Sequence, residues 1–256
     1  MLKRVLRTAQ THAPWVRPLK FAAYNAATRY LGLRIDPEFK LLKLIGPVDL
    51  AIDIGANWGQ SIAALQRLCA PKRIVAFEPS ALLARRIERR YAGNDKVTLH
   101  ACALGESDGE FTLHTPRYGN FVFDGLASLD IEEARNWLNP RRMAGFDPSK
   151  LSIDSQTVKV RQLDSFDLSP DVVKIDVQGA ELLVVRGGLE TFRRSQPVSI
   201  VENPSPELVA LFAGIGMHAF GFDGHTLTRG DVGGNNTVFL NERRVDQLQH
   251  KGVSLR

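Results

Sequence analysis

The chain has 256 residues, of which 24% are charged and 44% hydrophobic, and these proportions are ordinary for one water-soluble domain with an appendage. The net charge of +5 is mildly basic, but the basic residues are scattered and often stand beside acids, so the charge alone does not require an acidic partner. No apolar run reaches transmembrane length, and Cys69 and Cys102 lack the spacing of a metal site. We therefore expect a cytoplasmic protein with two buried, reduced thiols.

Residues 1–47 form a basic segment with no acid before Asp36. Their apolar residues recur at helical spacing and predict one or two helices that precede the main fold: Leu19, Ala22, Ala23, Ala26, Ala27, Tyr30 and Leu31. We expect these helices to cover the core or a partner subunit in a homodimer. A peripheral contact with an anionic membrane surface is the alternative.

Strands and helices alternate through the main domain, which we place at residues 48–242. The predicted strands are Leu50–Ile54, Arg73–Glu78, Val97–Ala103, Val158–Leu163, Val172–Asp176, Val198–Glu202, His218–Phe222 and Thr237–Leu240. Helices are predicted between them, among them one with Leu82, Leu83, Ile87 and Tyr91 facing inward and one over Glu181–Arg194. Repeated strand–helix units predict an α/β fold with a doubly wound, mostly parallel sheet.

Two stretches depart from this alternation. Residues 110–115 alternate like an extra hairpin strand, and residues 117–157 contain many turn-forming residues with one short helix near Ile131–Leu138. A segment of that length without regular structure is typically functional, so we treat 117–157 as an insertion. Residues 243–256 are left as a C-terminal tail.

The first strand runs into a glycine turn with the pattern Asp53-x-Gly55-x-x-x-Gly59. Glycines allow close backbone approach, and the N-terminus of the following helix offers free N–H groups to a ligand. The dinucleotide-binding fingerprint needs three glycines, which this turn lacks. The pattern resembles the first motif of S-adenosylmethionine (SAM) dependent methyltransferases. An ordinary strand-to-helix turn is the alternative.

Three acidic residues, Asp53, Glu78 and Asp176, stand at the carboxyl ends of predicted strands, where doubly wound sheets bind their ligands. Glu78 follows the glycine turn at the distance at which an acid meets ribose hydroxyls, although it also fits a simple exposed strand end. Small residues around Ala103 fit a slot for adenine or a plain strand exit. Asp176 ends a later strand, and Glu181 then opens a helix, where it either faces the crevice or favours the helix N-terminus. Glu202 ends the next strand.

With these residues in hand, the chain resembles the FkbM family of SAM-dependent methyltransferases from about Ala51 to Leu240. The motifs that carry the resemblance are residues 52–59, 76–79, 103–105, Ala127-Ser128-Leu129 and 174–181. The family usually has glutamate where this chain has Gln178. The resemblance implies a Rossmann-like methyltransferase fold with helices on both faces of the sheet and a final antiparallel strand. It also implies SAM as cofactor and O-methylation of a hydroxyl on a sugar, glycan or polyketide-like acceptor.

The resemblance also assigns roles to individual residues. The predicted cofactor-binding residues are Asp53, Gly55, Asn57, Gly59, Glu78, Ala103 and Asp176, and the predicted substrate residues are Ser128 and Glu181. Asp176 and Glu202 are the candidate general bases for removing the acceptor proton, ahead of His114, His218 and His225. We predict no metal site.

Two other functions stay open at this stage. One is methylation of nitrogen or of nucleic acid, although the chain lacks an Asn/Asp-Pro-Pro-aromatic motif to hold a flipped base. The other is a SAM-binding protein without catalytic activity.

Overall fold

The structure is a computed structural model that describes residues 2–232 and 234–256. Its α-helices are α1 (Leu2–Ala9), α2 (Val16–Ala26), α3 (Gln60–Leu68), α4 (Ala81–Arg90), α5 (Ile131–Trp137), α6 (Glu181–Arg186), α7 (Leu189–Ser195), α8 (Pro206–Gly214) and α9 (Glu242–Gln249). Its strands are β1 (Leu50–Ile54), β2 (Arg73–Phe77), β3 (Val97–His100), β4 (Ala103–Leu104), β5 (Gly109–Tyr118), β6 (Phe121–Val122), β7 (Leu151–Arg161), β8 (Val172–Ile175), β9 (Val198–Glu202), β10 (His218–Phe222), β11 (Thr226–Arg229), β12 (Asn236–Leu240) and β13 (Ser254–Leu255).

The larger sheet has the strand order β13-β11-β10-β12-β9-β8-β1-β2-β3. Strands β3, β2, β1, β8 and β9 are parallel neighbours, and β1 lies between β2 and β8. Strand β12 is antiparallel to both β9 and β10, so the predicted mostly parallel sheet with a late antiparallel strand is confirmed. This order brings the carboxyl ends of β1, β2, β8 and β9 to one edge.

Helices cover both faces of this sheet, as predicted for a doubly wound fold. Ala51 packs into one apolar cluster with Ile62 and Leu65 of α3, whereas Ile52 packs into a second cluster with Val184 of α6 and Phe212 of α8. Neighbouring residues of a strand point to opposite faces, so a run buried throughout, as in β1, requires cover on both sides.

A second sheet, with the order β4-β7-β5-β6, corrects two predicted strands. Val158–Leu163 does not belong to the parallel sheet; its residues up to Arg161 lie in β7, which pairs antiparallel with β5 from Gly109↔Val160 to Tyr118↔Leu151. The predicted strand Val97–Ala103 divides into β3 in the large sheet and β4 in the small one. The predicted hairpin strand is thus confirmed and longer than expected, while the predicted short helix appears as α5.

Smaller differences have local causes. The predicted helix Glu181–Arg194 divides at Gly187, where a Cβ would lie 1.8 Å from the Gly105 carbonyl oxygen, so the chain passes too close there for any side chain. Leu82 is 42% exposed and does not face the core, whereas Leu83, Ile87 and Tyr91 are buried as predicted. The segment 243–256 contributes to α9, which buries Val245 and Leu248, and it includes β13 at the sheet edge.

Helix α2 presents most of its predicted apolar residues to solvent, so they do not cover the core, and cover by a partner subunit stays a prediction. Its buried or half-buried side carries Arg17, Phe21, Asn25 and, in the π-helical turn that follows, Thr28. The residues we call the outer face of α2 are exposed and lie three or four positions apart: Trp15, Leu19, Ala22, Ala23, Ala26 and Tyr30. In the described parts of the chain, no helix is both long and apolar enough to span a membrane.

Candidate active site

A cavity of about 780 Å³ lies where the edge of the large sheet faces the small sheet. Gly55, Asn57, Glu78 and Asp176 line it from the large sheet, together with the segment 102–107. Side chains of β5 and β7 line it from the other side. The predicted strand-end residues therefore come together at one opening.

Gly55 serves the protein's own packing as much as any ligand. Its φ of +82° is a left-handed conformation, and a Cβ on it would lie 1.9 Å from the carbonyl oxygen of Asp176. The backbone N–H groups of Gly55 and Ala56 both donate to the Phe77 carbonyl oxygen at 3.0 Å. The turn after β1 is thereby fixed between the ends of β8 and β2. The close backbone approach predicted toward a ligand is, in this structure, an approach to Asp176.

Glu78 holds this turn from the end of β2. Its Oε2 accepts from the backbone N–H of Asn57 at 2.8 Å, and its Oε1 accepts from that of Ser80 at 2.8 Å. Burial raises the pKa of Glu78 to about 7, and the two N–H donors oppose the rise. Glu78 lines the large cavity while it organises the glycine turn and the start of α4.

Asp53 lies beneath the turn and is fully buried. In the part of the chain that the structure describes, neither of its carboxylate oxygens has a hydrogen-bond partner. Burial raises its pKa to about 7, and the positive charge of Lys174, its register partner on β8, opposes the rise. Lys174 is itself buried and donates to the Ile175 carbonyl oxygen at 3.0 Å. Asp53 thus lies beneath the residues that line the two cavities and is not among the described lining itself. Its charge still interacts with those of the lining residues above it.

Asp176 and Glu202 form a carboxylate pair that Gln178 bridges. The Gln178 Nε2 donates to Asp176 Oδ1 at 2.8 Å and to Glu202 Oε2 at 2.9 Å. Burial, and then a hydrogen bond and charge repulsion from Asp176, raise the pKa of Glu202 to about 8. The family's usual glutamate at position 178 would add a third carboxylate, whereas glutamine supplies a donor to both.

A second, more polar cavity of about 190 Å³ lies beside the first. Gly55, Asn57 and Asp176 line both cavities, and Lys174 and Glu202 line the smaller one. Asn57 has a φ of +50°, and its buried Oδ1 has no partner within the described residues. Asn57 and Asp176 are therefore the wall between two compartments of one site.

The remaining predicted residues take varied positions. Ala103 lines the large cavity, as expected of an adenine slot. Ser128 lines it too, but its hydroxyl already donates to Glu133 Oε2 at 2.5 Å. Glu181 is buried and accepts from the backbone N–H groups of Val177 and Gly179, each at 3.1 Å, which holds the loop after β8. Gly59 is not among the described residues that line either cavity. A Cβ on it would point toward the side chains of Tyr91 and Asn25.

Sequence reasoning missed the wall that the small sheet supplies. From Phe111 to Arg117, every second residue of β5 lines the large cavity: Phe111, Leu113, Thr115 and Arg117. Strand β7 adds Asp154, Gln156 and Val160. Arg117 Nε donates to both carboxylate oxygens of Asp154, at 3.1 and 2.9 Å. The alternation of β5 was visible, but its partner strand, and hence the direction in which its side chains point, was not.

A second missed group joins three distant segments. Arg17 of α2 donates to the Val122 carbonyl oxygen and to Asp124 Oδ1, and the Trp58 indole N–H donates to the same Asp124 oxygen at 3.3 Å. The Trp58 ring stacks on Phe21 with their centroids 4.6 Å apart. Asp124 lines the large cavity, so the N-terminal helix helps to shape the site.

Metal ligands are not clustered in the described residues: they contain no group of three or more His, Cys, Asp or Glu side chains placed to hold an ion. The histidines weighed as bases also lie outside the described cavity linings. His114 pairs with the Ser155 hydroxyl at 2.9 Å, and His218 lies 3.6 Å from Glu242. Asp176 and Glu202 remain the titratable groups at the junction of the two compartments.

Comparison with known proteins agrees with the motifs. Residues 53–215 match the family described as "Methyltransferase FkbM domain". Because this match covers more than half of the chain, the chain belongs to the FkbM methyltransferase family, and the resemblance drawn from the motifs is confirmed. A 2-O-methyltransferase, NoeI of Sinorhizobium fredii, is 25% identical over 150 residues, which are 59% of this chain and 61% of NoeI.

Similar solved structures include an FkbM methyltransferase from Methylobacillus flagellatus KT. It is 17% identical with a TM-score of 0.47, and the match covers 87% of this chain and 50% of that one. Aeropyrum pernix fibrillarin with natively bound SAM is 11% identical with a TM-score of 0.41, covering 84% of this chain and 75% of its own. The chain thus spans 61% of NoeI and half of the M. flagellatus protein.

Proposed function

We propose that this FkbM-family protein transfers a methyl group from SAM to a hydroxyl oxygen of a sugar, glycan or polyketide-like acceptor. The observation that carries the proposal is a single cavity with two unlike walls. One wall holds the glycine turn, Glu78 and Asp176, and the other is a face of the small sheet that carries both polar and apolar side chains. A cofactor and a hydroxyl-rich acceptor fit such a division.

The residues of the first wall suit SAM. The unpartnered Asn57 Oδ1 offers an acceptor to an ammonium group, and Glu78 has lone pairs left for a ribose diol after binding two backbone N–H groups. Leu104 and Cys102 on either side of Ala103 supply apolar surface for an adenine ring. When bound, SAM supplies an electrophilic methyl group on a sulfonium.

The second wall suits an acceptor with several hydroxyl groups. Thr115, Arg117, Asp154 and Gln156 provide both donors and acceptors along one face of the hairpin. NoeI is a 2-O-methyltransferase, and this supports oxygen as the methyl acceptor here. The acceptor would then lie between the hairpin and the carboxylate pair.

Asp176 would orient the acceptor hydroxyl and remove its proton. It lines both compartments, and Glu202 and Gln178 fix its carboxylate from one side. Burial and the neighbouring Asp176 raise the pKa of Glu202 to about 8, and we assign the base role to Asp176 because it lines both compartments. Alignment of the two reactants in the cavity lowers the activation barrier by roughly 7–11 kcal/mol in favourable cases.

The test is incubation of the full chain with isotope-labelled SAM and fractionated glycan, small-metabolite and nucleic-acid extracts, followed by mass spectrometry. Label on a hydroxyl oxygen of a glycan or metabolite, absent with the Asp176→Asn variant, is the expected result. Label on nitrogen or on nucleic acid would overturn the acceptor class. SAM binding in calorimetry without label in any fraction would overturn the catalytic role.

A further inference from the structure

Helix α2 departs from the usual pattern of a surface helix, because most of its apolar residues face solvent, while Arg17, Asn25 and one aromatic ring, Phe21, face the protein. Asn25 is buried and donates to the Trp58 carbonyl oxygen at 2.7 Å, while Thr28 is 1% exposed. On the opposite side, Trp15 is 76%, Leu19 67% and Tyr30 70% exposed. Single exposed apolar residues are ordinary, but a stripe along a whole helix indicates a surface that is covered by something else.

The charge around this stripe indicates what covers it. Residues 1–35 contain seven lysines and arginines and no acid. Lys20 lies next to Leu19 and is exposed, and Arg34 is exposed beyond Tyr30. An apolar strip that carries Trp and Tyr and is flanked by Lys and Arg is the composition of helices that lie in the interface of an anionic bilayer.

A second copy of the chain is the less suitable occupant. In a twofold-symmetric contact the same patch meets itself, so the basic outer face of α2 would meet an equally basic face. No acid within residues 1–35 could pair with these basic side chains. An anionic lipid surface complements both the apolar strip and the charge.

We propose that the outer face of α2 binds the surface of a bilayer containing anionic lipid, with Trp15, Leu19 and Tyr30 in the headgroup region. The helix would lie in the membrane plane and would not cross it. Its inner side would stay on Trp58 and Asp124, so that the site described above stays intact. This inference does not depend on the identity of the methyl acceptor.

The test is flotation of the full chain with vesicles of phosphatidylcholine alone and of phosphatidylcholine with 30% phosphatidylserine. We expect binding to the second and little to the first, with strong loss at high salt. Leu19→Ser should weaken binding roughly tenfold, and Lys20→Glu by at least as much. Val232→Ser and Lys96→Glu, which change an exposed apolar residue and an exposed lysine elsewhere, should bind like the parent.

Circular dichroism and the melting temperature check that each variant is folded. We expect all of them to fold, because each substituted side chain is exposed. Sedimentation velocity of the free chain distinguishes the other occupant. A dimer that Leu19→Ser dissociates, without vesicle binding by the parent, would overturn the proposal in favour of self-association. A monomer that does not bind either vesicle would overturn it outright, as would variants on α2 that bind like their controls.

Discussion

The two sheets of this protein contribute to the site in different ways. In the large sheet, β1 and β8 are buried along their whole length, and they contribute to the cavity lining only at or just beyond their carboxyl ends. In the small sheet, one face of the hairpin β5–β7 lines the cavity along seven residues, with few buried side chains beneath. The buried sheet holds a few groups rigidly in place. The hairpin presents a broad surface, on which the side chains can be exchanged with less effect on packing.

The sharpest way to test this division is at Asp176. If it is the base, Asp176→Asn should lower the single-turnover methyl-transfer rate by roughly two to four decades, the range typical of acid–base groups. SAM affinity should change much less, and the rate should lose its dependence on pH at the acidic side. Parental rates in the variant, or a failure due only to lost SAM binding, would assign Asp176 to structure or to cofactor binding.

Glu78 tests the cofactor side of the same wall. Glu78→Gln keeps the shape but weakens charge-assisted hydrogen bonds that are worth roughly 1.5–3 kcal/mol, so SAM affinity should fall by about one to two decades. Calorimetry measures the effect, with the exposed Glu88→Gln on the following helix α4 as a control. Because Glu78 also holds the N–H of Asn57, the melting temperature must be recorded for both variants. An unchanged affinity would restrict Glu78 to the turn.

Arg117 tests the hairpin side, where a smaller effect is expected. Arg117→Ala should raise the KM for the acceptor by about tenfold while the affinity for SAM stays the same, because Arg117 lines the large cavity on the side that we assign to the acceptor. Arg161 is a matched control: it lies on β7, forms an ion pair with Asp108 at 2.9 Å, and stands outside the described cavity lining. Equal KM values for the two variants would remove the hairpin from acceptor binding.

Asp53 gives the smallest effect and tests the buried charge beneath the turn. Its pKa in the folded protein is raised from 3.8 to about 7, so the folded state holds a proton that the unfolded state has lost, and stability falls as pH rises between these values. Asp53→Asn removes this loss. Relative to the parent, the variant should gain about 3 °C or more in melting temperature between pH 5 and pH 8. Exposed Asp95→Asn should show no such trend.

The same contrast explains what could be predicted from the sequence. The ends of β1 and β9 match their predicted positions because short apolar runs closed by an acid or a turn carry a local signal. The partner of β5 could not be predicted, because β7 begins more than thirty residues later, and Val158–Leu163 reads equally well as a parallel strand. Gln178 was noticed only as a departure; its two carboxylate partners come from different strand ends.

Helix α2 is the clearest example of this limit: the spacing of its apolar residues could be predicted from the sequence, but their position relative to the core could not. Periodicity gives the spacing of an apolar face but does not show what covers that face. In α2 the residues on the other side of the helix, Arg17, Phe21 and Asn25, supply the contacts to the protein. Arg17 could not be assigned to the site because its partner Asp124 is 107 positions away. Such contacts depend on tertiary structure alone.

That separation has a consequence for how the chain is made. Arg17 leaves the ribosome more than a hundred residues before Asp124, and at about 5–20 residues per second its partner follows roughly 5–20 seconds later. Arg4 waits longer still, since the carbonyl oxygen to which it donates belongs to Pro140. During synthesis the contacts of Arg17 and Arg4 therefore form late, and the lining of the large cavity is complete only after more than half of the chain has been translated.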